Sequence, residues 1–169
     1  MVDVSAVLRT IGRALEILTA AGETKAIDYG RQAAGWSDFT GNDLEAAMDI
    51  QNALIGMPAH CNLAVMWKFA KDNPRLGEPY LNDLTTFAAH MISGADRNGR
   101  ENLKYWVRHW ARKDGHYTEA ARLYGKSHMT QRRFYVELIE LELDAWLTEA
   151  KGWIEEVMEQ HEGLWLKAA

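Results

Sequence analysis

Val136, Ile139, Leu143, Trp146, Ala150, Trp153 and Val157 follow one another at separations of 3, 4, 3, 4, 3 and 4 residues. Only an α-helix brings such positions to one side, because a turn takes 3.6 residues. The run commits the C-terminal part of the chain to one long helix, expected from Ser127 or His128 to about His161. At 1.5 Å per residue that is roughly 50 Å. The seam has the a/d form of a coiled coil, with Glu142, Glu149 and Glu156 along one flank. Two occupants suit it: the chain's own earlier helices, or a second copy in a homodimer.

The rest of the chain has the composition to supply those earlier helices. Ala (23) and Leu (17) outnumber Val (7) and Ile (8), and only 3 prolines interrupt the 169 residues. Straight-chain and small residues keep their rotamer freedom in a helix, whereas β-branched ones lose it. Apolar positions at helical spacing predict helices over Val4 to Ala21, Thr24 to Ala34, and Leu44 to Ile55 after a capping-box Asn42. Further helices are expected from Pro58 to about Ala70 and from Pro79 to Ile92. Two more follow, over Arg100 to Arg112 and from a Thr118 cap to Gly125. The turn from Gly35 to Gly41 holds Trp36 and Phe39. No segment reads as a strand. The expected fold is all-α, a multi-helix bundle with a long C-terminal helix. Residues 1–96 form a helical body, 97–135 a basic segment and 136–169 the acidic helix.

The net charge of −5 hides a sharper division. Residues 1–96 carry 7 Lys/Arg and 12 Asp/Glu, residues 97–133 carry 10 and 3, and residues 134–169 carry 2 and 9. A stretch of net +7 is followed by one of net −7. Local charge, more than net charge, attracts an anionic partner.

Inside the basic stretch, residues 117–135 read YTEAARLYGKSHMTQRRFY. Ala121 is small enough for two helices to cross closely. Gly125, four residues later, stands where the turn needs a positive φ, and Ser127 is placed to cap the next helix. That helix is expected to turn His128, Gln131 and Arg132 outward, with Arg133 beside a phosphate backbone. Arg and Gln can contact guanine and adenine edges in a bidentate way. Arg108, Arg112, Lys113, Arg122 and Lys126 are the expected phosphate contacts. Tyr105 and Tyr117 are candidates for stacking on single-stranded bases.

This segment resembles the sigma-region-4-like helix-turn-helix of bacterial and phage regulators over about 20 residues. It departs from that pattern at Lys126, where the turn usually carries a hydrophobic residue. It departs again at Gln131, where a small or branched apolar residue usually packs inward. The layout, a helical body followed by such a module, is also similar to that of phage late-gene antiterminators. The resemblance implies a DNA-binding transcription regulator of phage or prophage type. RNA or an acidic protein surface are the other partners that the basic charge suits. The reading from another class is a helical interaction protein, for example an inhibitor of a nucleic-acid enzyme, whose acidic helix docks on a basic partner.

Other chemistry has little footing in the sequence. There is no phosphate-binding loop, no HExxH and no paired CxxC. His60 and Cys61 are adjacent, so on a helix their side chains diverge by about 100°, and no third ligand is spaced to join them. No catalytic residue, metal or cofactor is expected. The single cysteine, the lack of a signal-peptide pattern in MVDVSAVLRT and the lack of a membrane span lead to an expected cytoplasmic location.

Overall fold

The computed structural model describes Arg9, residues 11–15 and residues 41–160. These residues are helical or in short connections, with no strand among them, so the chain is an all-α multi-helix protein. The expected helix over 24–34 and the turn at 35–40 lie outside the described residues. So does most of the helix over 4–21, which is helical at Arg9 and 11–15. The helices are α1 (Gly41–Gly56), α2 (Ala59–Ala70), α3 (Gly77–Met91), α4 (Arg100–Arg112), α5 (Tyr117–Tyr124) and α6 (His128–Phe134). A π-helical turn (Tyr135–Glu140) joins α6 to α7 (Leu141–Gln160) without a break. Among the described residues no helix is long and apolar enough to cross a membrane.

Two compact units emerge. One comprises Met1–Met57 with Ala150–Ala169, the other Pro58–Glu149. In the first, α1 buries Ala46, Ala47, Ile50 and Leu54. The apolar spacing puts Leu44, Ala47, Met48, Leu54 and Ile55 on one face; Ala47 and Leu54 are buried, whereas Met48 and Ile55 are 51% and 74% exposed. Ala46 and Ile50 complete the inward stripe in their place.

In the second unit, α2 packs on α3, α3 on α4, and α4 on α5 and the π turn. Trp67, Trp106 and Trp110 are almost wholly buried there, with Leu84, Leu103, Phe134 and Leu143. Each such side chain contributes roughly 1.5–3 kcal/mol on leaving water. Met91 lies on the same apolar stripe of α3 as Leu84 and Ala88 by spacing, but is 60% exposed. Pro58 is the N-cap of α2, not a residue of its first turn.

α2 and α4 run parallel, as their cross-links rise together. Trp67 Nε1 donates to the Val107 carbonyl (3.0 Å), Lys68 Nζ to that of Trp110 (2.8 Å) and Lys71 Nζ to that of Ala111 (3.2 Å). In return, Arg112 donates to the Lys71 carbonyl. Two helix C-termini thus lie side by side, and their free carbonyls and negative dipole ends are met by three cations. Burial, chiefly, pushes Lys68 down to about 8.

The inward face of the long helix differs from the heptad pattern. Gln131, Tyr135, Ile139, Leu143 and Leu147 are buried, each four residues after the last. In a regular α-helix a step of four drifts about 40° round the axis. The wider π turn at 135–140 takes up part of that drift. It turns Tyr135 inward and leaves Val136 38% exposed. Further along, Ile154 is buried and Trp153 is 46% exposed. Of the seam, Ile139, Leu143, Trp146 and Ala150 are buried in the single chain. The side chain of Val157 lies outside the described residues.

Candidate nucleic-acid interface

Three helices build the basic corner. α4 stops at Lys113, which takes a left-handed conformation (φ 57°) and returns its N–H to the His109 carbonyl (2.7 Å). The chain then turns sharply through Asp114 and Gly115. Gly115 N–H donates to His109 Nδ1 (2.7 Å). A Cβ on Gly115 would lie 3.0 Å from that nitrogen and from the Tyr105 ring, so a larger residue would press on both side chains. His109 Nδ1 must be unprotonated to accept. Burial and the nearby Lys113 hold its pKa below the ordinary 6.5.

The start of α5 is held by Tyr105. Its hydroxyl accepts from the His116 N–H (2.8 Å) and donates to Glu119 (2.6 Å), and burial with the Glu119 bond pushes its pKa up to about 12. His116 is the N-cap, in place of the expected Thr118, which lies inside the first turn. α5 ends at Gly125 in the left-handed region (φ 70°), its N–H donating to the Ala121 carbonyl (3.0 Å). Ser127 then caps α6: its Oγ accepts from the Thr130 N–H (3.2 Å). Helix, left-handed glycine and serine-capped helix thus stand as the sequence pattern anticipated.

Gln131 corrects that pattern. Expected to face outward toward adenine, it is fully buried. Its Oε1 accepts from Trp106 Nε1 (2.8 Å) and from Asn102 Nδ2 (3.1 Å) of α4. Its Nε2 lies 3.5 Å from the Ala120 carbonyl of α5. One amide therefore ties all three helices together and takes the place of an apolar contact. Burying that amide without partners would cost more than the bonds themselves contribute. A signal for this role was present: Gln131 precedes Phe134 by three residues and Tyr135 by four, on the inward stripe.

Three expected phosphate contacts are also engaged within the protein. Arg108 Nη2 pairs with Asp114 (2.7 Å). Arg112 donates to the Lys71 carbonyl and lies over the Trp67 ring (5.8 Å). Lys113 Nζ donates to Glu140 (2.8 Å) and to the Tyr135 hydroxyl (3.0 Å). Burial pushes the Glu140 carboxyl up, but Lys113 and Tyr135 outweigh it and hold the pKa below the ordinary value. Short-range partners are stronger attractors for these cations than solvent-separated phosphates. Tyr117 packs against Trp106 (5.3 Å between ring centroids), and Tyr105 meets the same ring edge-on (4.9 Å). Neither ring is free to stack on a base.

What remains on the outer surface is compact. Arg122 of α5, Lys126 and Ser127 of the turn, and His128, Arg132 and Arg133 of α6 are all exposed. Among the described residues no carboxylate pairs with Arg122, Lys126, Arg132 or Arg133. His128 and Arg132 stand one helical turn apart, as do Met129 and Arg133, so α6 presents cations along its free side. No protein-family model, curated protein or solved structure matches the chain.

Proposed function

We propose that the chain is a DNA-binding regulator that lays α6 into the major groove of duplex DNA. One observation carries this reading: α6 is held from behind by Gln131 and Phe134, while its outer side offers His128, Arg132 and Arg133 beside Arg122 and Lys126. A serine-capped helix on a rigid three-helix corner, with unpartnered cations forward, suits groove entry. Arg132, near the middle of α6, is assigned to a guanine edge. Arg122, Lys126 and Arg133 are assigned to phosphates. Regulation of transcription, of the phage or prophage type, is the biological role that this arrangement and the sequence resemblance favour together.

The test is binding of the purified chain to random duplex and to a selected preferred sequence across a range of salt. Three phosphate contacts give a slope of about −2.7 in a plot of log affinity against log salt. Arg132→Ala is expected to cost roughly 1–3 kcal/mol on the preferred sequence and much less on random duplex. Lys126→Ala and Arg133→Ala should weaken both about equally and flatten the slope by about one each. Arg108→Ala should leave the slope unchanged, because Asp114 already holds that guanidinium. Absence of salt-sensitive binding to duplex at low ionic strength would refute the proposal.

A further inference from the structure

The adjacent pair His60 and Cys61, set aside in the sequence for want of a third ligand, gains one from a helix 88 residues further on. Glu149 of α7 comes over the start of α2. His60 Nε2 lies 3.0 Å from Glu149 Oε2. The buried Cys61 sulfur faces the same carboxylate. The imidazole nitrogen, the sulfur and a carboxylate oxygen all lie within 4.8 Å of one another. The divergence of neighbouring helix positions does not keep the His60 nitrogen and the Cys61 sulfur out of reach of one carboxylate.

We propose that His60, Cys61 and Glu149 bind a divalent transition-metal ion of the zinc class. The donor set selects the ion. Calcium and magnesium prefer all-oxygen shells, whereas a thiolate and an imidazole together suit zinc or cobalt. Metal–ligand lengths of about 2.0–2.3 Å put tetrahedral donors roughly 3.3–3.8 Å apart, so the three atoms reach the ion with shifts below an ångström or so. The imidazole is held for this task. Trp146 meets it edge-on (5.4 Å between centroids) and Phe87 stacks alongside (6.5 Å). Such support fixes ring orientation, which metal affinity depends on. Cys61 is wholly buried and Glu149 half exposed, so one side of the site is open to an entering ion. Three donors leave one tetrahedral corner for water or a fourth group. Binding displaces the thiol proton, so affinity rises with pH. The bound ion would tie α2 to α7, with both contacts inside the unit Pro58–Glu149.

Cys61 is the chain's only cysteine, which gives an unambiguous readout. The untagged full-length protein, reduced with a thiol-free reagent at mildly alkaline pH, is titrated with cobalt(II). The expected result is one equivalent bound, with a near-ultraviolet thiolate-to-cobalt charge-transfer band and the visible bands of a tetrahedral centre, all erased by zinc. Cys61→Ser should abolish the charge-transfer band. His60→Ala and Glu149→Gln should each weaken binding at least about tenfold. Glu149→Gln keeps the hydrogen bond to His60 and the side-chain volume, so its effect reports ligation. Zinc should raise the unfolding temperature of the native chain, and by clearly less that of Glu149→Gln at the same concentration. Absence of the charge-transfer band in the native chain overturns the proposal. So does a band whose affinity is unchanged in both His60→Ala and Glu149→Gln, since the ion would then be held by the cysteine alone.

Discussion

Gln131 shows how one side chain decides what its neighbours are free to do. The amide accepts from Trp106 and Asn102, and those two donors have no route to water once α6 closes on α4. Gln131→Met keeps the volume and removes the acceptor, leaving two buried N–H groups unpaired. It is expected to destabilise the fold by about 1–3 kcal/mol for each. Urea denaturation should show this as a lower midpoint at an unchanged slope. A loss of DNA affinity in the fully folded variant, without a loss of stability, would contradict the inward role. Gly125 makes a cleaner test of backbone conformation. A Cβ there meets nothing within 4 Å, so Gly125→Ala pays only for its positive φ, about 1–2 kcal/mol by the same measurement.

At the scale of elements, the π turn reconciles two requirements. Upstream, Gln131, Phe134 and Tyr135 must face α4; downstream, Ile139 and Leu143 must face the same core. A regular helix would carry them apart, and the wider turn accommodates one residue more than a regular helix over this stretch. Val136 is exposed in that turn, as is Glu137. Deleting Val136 is expected to convert the turn to ordinary α-helix and leave a folded protein with an unfolding temperature within a few degrees of the native one. Deleting the exposed Ala145, in regular helix, rotates Leu143 relative to Trp146 and Leu147 by about 100° and should abolish cooperative unfolding. Thermal scans of the two deletions decide it; equal damage would show that the π turn absorbs nothing.

For the whole molecule, stability should follow pH through Lys68, Tyr105 and His109. Lys68 has a folded value of about 8 against an ordinary 10.5. Between those pH values the unfolded chain holds a proton that the folded chain has released, so stability rises with pH there. Tyr105 has the opposite sign. Its folded value is pushed up to about 12 from 10, so above pH 10 the unfolded chain ionises first and stability falls. His109, held below 6.5, makes the fold lose stability as pH drops through that value, because protonation would break its acceptance from Gly115. Denaturation midpoints from pH 5 to 11 are expected to peak at alkaline pH. Lys68→Met should flatten the rise and Tyr105→Phe should soften the fall. A profile between pH 8 and 10 that Lys68→Met leaves unchanged would show that Lys68 is not desolvated.

Periodicity and capping chemistry are local, and the sequence alone determined what depends on them. The helical class, the span of α4, the left-handed Gly125 and the Ser127 cap were all legible in it. Each rests on contacts within a few residues, where spacing along the chain and spacing in space are nearly the same. Tertiary structure decided what depends on partners distant in sequence. Arg108, Arg112 and Lys113 look like free cations until Asp114, the Lys71 carbonyl and Glu140 are brought against them. Gln131 looks like a base reader until Trp106 approaches from 25 residues away. The heptad phase at Val136 is broken because the core requires Tyr135. His60 and Cys61 lack a third donor until Glu149 arrives. A side chain's role is set by which groups share its desolvated volume, and a linear pattern does not encode that neighbourhood.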